Sequence, residues 1–382
     1  MSTGAPMKIG FDVAQTCGAR AGCGWYADSL IRAMTAVAPE HRYFLYHRFG
    51  SWLGTDPATG TRLSGACASM PFAEQAEKEA RAVWKALAEG RGTLPGEPDI
   101  VQSNSFQAPL VGKAKLVVVV YDVSFWAHPE FTTEGNRLVC QRGVLDALKR
   151  ADGFLFISQS SLHEFERFLP GWLERNRKPA AAIPLASRIE VGTQGEETTA
   201  DPYWLAVGSL EPRKNYENLL LALERYWQRS ARRIPLHLAG GDGWRNERLL
   251  ARLAQMERAG MVRRLGYVPD EKLGALYQAA RGLVFPSWYE GFGLPVLEAM
   301  QCGCPVISSA RTSLPEIGGD AVSYVAPEDP ESICQAMLRL EGDPAWRRHL
   351  VTAGRERALR FSWEETARLT LEFYRKVLTK AG

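Results

Sequence analysis

The sequence predicts an α/β protein made of two doubly wound parallel sheets. Short runs rich in β-branched and aromatic residues recur along the chain, and several are continuously apolar instead of alternating, as strands buried on both faces must be. Stretches with helical apolar spacing separate these runs, which is the order of βαβ units. The 382 residues exceed what one core usually serves, and a polar stretch with turn residues and no apolar period, 187–202, interrupts the pattern near the middle.

In chain order, the first half offers strands at 7–13, 42–47, 99–103, 115–123 and 153–158. The second half offers 203–210, 234–241, 262–268, 282–287, 304–309 and 321–327. Between them, the helix after Asn215 carries Tyr216, Leu219, Leu220, Leu223 and Tyr226 on one stripe, with Asn215 as its N-cap. The chain ends in a helix for which Ser362 and Glu365 fit a capping box and Leu371, Tyr374 and Leu378 share one face. That face needs a partner, which the pattern alone does not identify.

Hydrophobic residues at 46% and charged residues at 23% are ordinary for a soluble globular protein. A net charge of +3 argues against a dedicated nucleic-acid binder. The seven cysteines are scattered without zinc-ribbon spacing, and Cys302 and Cys304 are too close for a CxxC motif. They read as reduced thiols, and the expected location is cytoplasmic. The six histidines form no HxxxH pair, so no metal ligand set is expected. No bound cofactor is expected either. The start, MSTGAPMKIGFDV, has no signal-peptide apolar core. The longest apolar run, Leu116 to Tyr121, falls far short of the roughly 20 residues that span a bilayer. Membrane contact would therefore be peripheral. The stretch 165–184 is a candidate for it, mixing Phe168, Leu169 and Trp172 with Arg167, Arg175, Arg177 and Lys178. The simpler reading of that stretch is a solvated helix with its apolar side in the core.

Two motifs carry chemistry. In GSLEPRKNYENLL (208–220) a buried strand ends, a loop brings Arg213 and Lys214, and a helix begins. Cations beside a fresh helix N-terminus at the carboxyl end of a strand suit a diphosphate. In SWYEGFGLPVLEAM (287–300), Gly291 and Gly293 allow close approach of backbone to ligand, and Pro295 suits the first turn of a helix that contains Glu298. Glu290 and Glu298 could be a glycosidase acid/base pair, but their place beside an anion-binding turn and two cations favours a sugar attached to a nucleotide diphosphate. The Gly22-Cys23-Gly24 stretch is a poor dinucleotide fingerprint, because Ala27 stands at the third glycine position. His128 before Pro129 reads as structural, and Cys304-Pro305 as packing.

GSLEPRKN, followed by FPSWYEGFGLPVLEAMQCGCPVISS with its Glu, seven residues, Glu pattern, resembles glycosyltransferase family 4, the GT-B family of retaining, nucleotide-sugar-dependent transferases. The resemblance continues through 311–330 and, more loosely, through KIGFDVAQTCGARAGCGWYADSL, YDVSFWAHPE (121–130) and FISQSS (156–161). It implies two Rossmann-like domains facing a central cleft. Residues 1–190 would form the acceptor side, rejoined by the C-terminal helix 362–380, and 191–361 the donor side. Arg213 and Lys214 would hold the donor diphosphate, Glu290 the donor sugar's hydroxyls, and Glu298 the ribose. Ser209, Gly291 and the backbone of Phe292, Gly293 and Leu294 would complete the donor cradle. Gly266 and Tyr267 would meet the base, and Gly22 and Gly24 would line the cleft. Many members of the family have His-Asp where this chain has Tyr121-Asp122. Both residues are expected on the acceptor side, with Asp122 also near the reacting sugar, although a turn cap is an equal reading for Asp122.

The function so implied is hexosyl transfer with retention, GDP-mannose leading as donor and UDP-sugars following. The acceptor would be a glycan or lipid-linked saccharide of bacterial surface polysaccharide, such as lipopolysaccharide, met at the inner face of the membrane. A nucleotide-sugar epimerase, a non-catalytic nucleotide-sugar-binding protein and a sucrose-phosphate or trehalose-type synthase remain alternatives.

Overall fold

A computed structural model describes residues 5–379 except 19, 21, 73–75, 190–201 and 245. The chain divides into two compact units: Met1–Trp126 with Glu134–Leu185 and Trp363–Gly382, and Ala127–Thr133 with Ala186–Ser362. The sequence reading ran the first domain unbroken to 190. The fold instead gives 127–133 to the second unit, where the Trp244 indole donates to the Phe131 carbonyl at 2.9 Å. The expected boundary at 190/191 lies outside the described residues.

The first unit holds β1 (Lys8–Asp12), β2 (Arg42–Tyr46), β3 (Ala68–Ser69), β4 (Ile100–Ser103), β5 (Lys115–Val120), β6 (Gly153–Phe156) and β7 (Ala180–Ala182). They form a seven-stranded sheet in the order β3-β2-β1-β4-β5-β6-β7, with every pairing parallel. The second unit holds β8 (Trp204–Val207), β9 (Leu236–Ala239), β10 (Val262–Gly266), β11 (Gly282–Phe285), β12 (Val306–Ser309) and β13 (Val322–Val325). These form a six-stranded sheet, again parallel, in the order β10-β9-β8-β11-β12-β13. β4, β6, β8, β11 and β12 are buried at every residue, which explains the continuously apolar character of β6, β8 and β11.

Each strand that the sequence predicts is present, and most are shorter than the apolar run. β11 stops at Phe285 because Pro286 has no N–H to donate to a ladder. β3 and β7 escaped the sequence reading, since Ala-Ser and Ala-Ala-Ala have little β-propensity and are strands only through their neighbours.

Helices cover the sheets through the stripes that the sequence displays. Tyr216, Leu219, Leu220, Leu223 and Tyr226 are all buried on the helix Tyr216–Arg229. Asn215 starts that helix but does not cap it. Its backbone is left-handed (φ 58°), and its side-chain amide donates to the carbonyls of Pro286 at 2.9 Å and Pro327 at 2.7 Å. The last helix, Trp363–Thr379, packs within the first unit. There the Tyr374 hydroxyl meets Gln102 Oε1 at 2.6 Å and Thr366 donates to the Pro184 carbonyl at 2.8 Å.

The stretch 165–184 holds the end of the helix Gln159–Phe168, the short helix Trp172–Arg175 and β7. Leu169 and Trp172 pack onto the first core, with Trp172 edge-on to Phe154, and of Phe168, Leu169 and Trp172 the exposed one is Phe168, under the Arg167 guanidinium. Exposed apolar side chains gather instead at Leu138, Val139 and Leu145 on the helix Glu134–Arg150.

Candidate active site

In the second sheet the chain order reverses at β8, which pairs with β9 on one side and β11 on the other. Doubly wound sheets bind ligands beyond the carboxyl ends of the strands at such a point. Both sequence motifs emerge there. β8 leads into Gly208 and the tight turn Pro212–Lys214, and β11 leads into the loop that starts the helix Leu294–Gln301. The loops are tied directly, the Trp288 N–H donating to the Arg213 carbonyl at 2.9 Å. Close approach demands glycine at two positions. Gly240 lies so near the Gly208 carbonyl that a Cβ would come within 2.0 Å of its oxygen, and Gly293 adopts φ 105° with Leu314 2.7 Å from where a Cβ would stand.

The loops bring Arg213, Lys214 and Glu290 together. The Lys214 ammonium meets Glu290 Oε1 at 2.8 Å and lies 4.7 Å from the centroid of the Phe285 ring. The Arg213 guanidinium meets Glu290 Oε2, the Tyr289 carbonyl at 3.0 Å and Glu211 Oε1 at 2.6 Å. The Glu290 backbone is fixed as well: its N–H donates to Thr312 Oγ1 at 2.9 Å, and its carbonyl accepts from Ser313 Oγ at 2.9 Å. Glu290 and Lys214 expose only 6% and 8% of their surfaces. Burial alone would raise the Glu290 carboxyl, but Arg213 and Lys214 hold it below the usual carboxylate range. It is therefore a permanent anion near neutral pH, unlike the protonated carboxyl that a glycosidase uses as its acid. Burial and the neighbouring Arg213 lower the Lys214 ammonium, which Glu290 opposes.

Glu298 belongs to a different network. It is fully buried, Arg188 Nε donates to its Oε1 at 2.7 Å, and the Tyr277 hydroxyl donates to its Oε2 at 2.9 Å. Arg188 is held on another edge by Asp270 at 3.3 Å. Burial raises the Glu298 carboxyl, with Arg188 acting against it.

The remaining candidates spread around these centres. Gly291 and Leu294 are half-buried on either side of Phe292, whose buried ring packs edge-on to Phe361 at 6.2 Å and whose carbonyl accepts from Ser313 at 2.8 Å. Ser209 is exposed. Gly266 (φ 66°) lines a concavity of about 210 Å³ with Gly208, Gly240 and Arg264, and Tyr267 beside it is 66% exposed. His128 packs edge-on to Tyr289 at 5.6 Å, so it sits against the residue that precedes Glu290.

In the first unit, Tyr121 and Asp122 follow β5. The Tyr121 hydroxyl turns inward to the Asn104 carbonyl at 2.9 Å, and the ring lies edge-on to Tyr26, so its side chain is part of the core and not an open acceptor contact. Asp122 Oδ1 accepts from the Ser124 N–H at 2.9 Å at the start of the helix Ser124–Ala127, which is the turn-capping role. Gly24 is required for packing, since a Cβ there would meet the Gln15 carbonyl oxygen at 2.4 Å.

Sequence reasoning missed Glu211, Thr312, Ser313 and Arg188. Glu211 was visible as an acid two residues before Arg213. Arg188 carried no signal, because it sits in the polar stretch that reads as a break. Among the described residues no group of three or more His, Cys, Asp or Glu side chains could hold a metal ion, and no helix is long and apolar enough to cross a membrane. All seven cysteines are free thiols.

Two parallel Rossmann-like sheets, with a cation-and-carboxylate cluster at the switch point of the second, are the make-up of the GT-B fold. The sequence profile of the glycosyl transferases group 1 matches residues 191–357, and the chain belongs to that family. It is 35% identical to the O-antigen chain mannosyltransferase B of Escherichia coli over 274 residues, which are 68% of this chain and 70% of that one. It is 31% identical to the serotype-specific mannosyltransferase WbdA of Escherichia coli over 245 residues, 61% of this chain but only 30% of that longer protein. Among solved structures it resembles the sucrose-phosphate synthase of Thermosynechococcus elongatus, with a TM-score of 0.71 at 22% identity, covering 98% of this chain and 100% of the other. At that identity the likeness shows the fold alone.

Proposed function

We propose that this glycosyltransferase moves mannose from GDP-mannose, with retention, onto a glycan or lipid-linked saccharide in bacterial polysaccharide assembly. The observation that carries the reading is the cluster of Arg213, Lys214 and Glu290 at the β8/β11 switch point, in a chain similar to two mannosyltransferases. The donor diphosphate would lie against Arg213, Lys214 and the N-terminus of the helix Leu294–Gln301, all of which favour negative charge. Glu290, held ionised, would accept hydrogen bonds from the mannose hydroxyls and fix the sugar over the diphosphate.

In the transfer step the bond between the anomeric carbon and the phosphate oxygen breaks, and the diphosphate leaves with the electron pair. The acceptor hydroxyl oxygen bonds to the anomeric carbon on the same face, and its proton passes to the departing phosphate oxygen. Charge grows on the diphosphate in that transition state, where the two cations and the helix N-terminus stabilise it. Residue 290 is a carboxylate neutralised by two cations, which suits orientation better than nucleophilic attack.

The test is incubation of the purified chain with GDP-mannose and a mannose-terminated saccharide, followed by NMR of the product. Acceptor-dependent GDP release and a product with the anomeric configuration of the donor support the reading. An inverted product removes the retaining mechanism. Turnover with a UDP-sugar alone reassigns the donor.

A further inference from the structure

We propose that Arg188 is a positioning residue of the donor site that acts through Glu298; this rests on the reading of Glu298 as the carboxylate that binds the donor ribose. The geometry is that of a built support. Arg188 Nε donates to Glu298 Oε1 at 2.7 Å, and the Tyr277 hydroxyl donates to Oε2 at 2.9 Å, so both carboxylate oxygens are held. Arg188 is fixed in turn. Its Nη1 lies 3.3 Å from Asp270 Oδ1, and the Gln301 side-chain amide donates to the carbonyl of the next residue, Ile189, at 3.1 Å. A planar guanidinium held along two edges sets the direction of the carboxylate that it meets.

The charge matters as much as the direction. Glu298 exposes none of its surface, and a carboxylate that buried takes up a proton unless a cation is beside it. The titratable groups facing it are Arg188 from the segment after Leu185, Tyr277 and Asp270 from the helix Asp270–Ala279, and Cys302 at the end of its own helix. Arg188 is the cation in this set, and Asp270 pushes the other way. Without Arg188 the burial that raises the Glu298 carboxyl is opposed by one cation fewer, so a larger share of it is protonated at a given pH and fewer of its oxygens accept from the ribose diol. Glu298 is fully buried, so contact with a ribose requires the side chains over it to move.

The experiment is a calorimetric titration, between pH 6 and 9, of whichever of GDP or UDP binds the wild-type chain. The variants are Arg188→Ala, Arg188→Gln, Arg188→Lys, Glu298→Gln and Arg188→Ala with Glu298→Gln, each checked by thermal unfolding. Arg188→Ala should weaken the nucleotide by about tenfold or more at pH 7, the double variant should be no weaker than Glu298→Gln alone, and Arg188→Lys, which restores the charge but not the planar fork, should recover part of the loss. The defect should shrink as pH rises and Glu298 ionises again. Arg188→Gln, which fills more of the same space, replaces the alanine variant if that fails to fold. A defect independent of pH, or losses that multiply in the double variant, would overturn the proposal and leave Arg188 a structural residue. If neither nucleotide binds the wild-type chain, the donor-site reading itself falls and this role with it.

Discussion

Lys214 Nζ lies 2.8 Å from Glu290 Oε1, and both side chains are almost fully buried. A cation and an anion removed from water together depend on one another. Deleting Glu290 leaves the Lys214 ammonium uncompensated in the core, where breaking a buried pair costs about 3–5 kcal/mol. Glu290→Ala should therefore lower the unfolding free energy by an amount of that order in urea titrations. Lys214→Met together with Glu290→Met should cost much less than the single change, because neither charge is then stranded.

The same pair sets an acid limit. The folded-state carboxyl of Glu290 lies below its ordinary value of 4.5, so its contribution to stability is complete above that value and is lost as pH falls through the lower, folded one. Urea midpoints of the wild type and Glu290→Gln should differ at pH 7 and converge below about pH 4.5. A gap that stays constant down to pH 3 would contradict the ion pair as the source.

Asp12 makes the opposite prediction in the first unit. It lies at the end of β1, fully buried, accepting from the N–H groups of Ala14 at 3.0 Å and Asn104 at 3.1 Å and from Ser105 Oγ at 2.5 Å. Burial outweighs those bonds and pushes its carboxyl up to about 6 from 3.8. The folded state then holds the proton more tightly than the unfolded chain, so this stabilisation is present below pH 3.8 and is lost as pH rises through about 6. Stability of the first unit, followed by hydrogen exchange of β1 and β4, should decline across that window and flatten in Asp12→Asn.

Gly293→Ala tests the helix start at the site. The residue stands at φ 105°, and a Cβ would come within 2.7 Å of Leu314 Cδ2. The change should cost roughly 1–3 kcal/mol of stability and weaken nucleotide binding by displacing the N-terminus of the helix Leu294–Gln301. Unaltered binding and stability would mean that the loop absorbs the side chain freely.

Much of this was legible in the residues. The continuous apolar runs gave the strands because parallel sheets bury both faces, and helical spacing gave the stripe from Tyr216 to Tyr226. That Arg213, Lys214 and Glu290 lie near one site was legible from motifs at the carboxyl ends of strands and from the family resemblance; that they pair directly was not. What was hidden depends on tertiary contacts that leave no local pattern. Asn215 looks like a cap, yet it spends its amide on two distant proline carbonyls. Tyr121 suggests an open hydroxyl, yet the backbone of Asn104 takes it. Arg188 sits in a polar stretch, and its partner Glu298 is far along the chain. β3 and β7 have strand geometry without strand composition.

The central claim is that the cluster of Arg213, Lys214 and Glu290 holds a nucleotide diphospho-sugar. Isothermal titration of GDP-mannose into the wild-type chain and into Lys214→Met tests it most directly. The account predicts saturable binding to the wild type, weakened by about tenfold or more in the variant through loss of one charge-assisted contact to phosphate. Equal binding to both proteins, or no binding to the wild type at millimolar ligand, would contradict it.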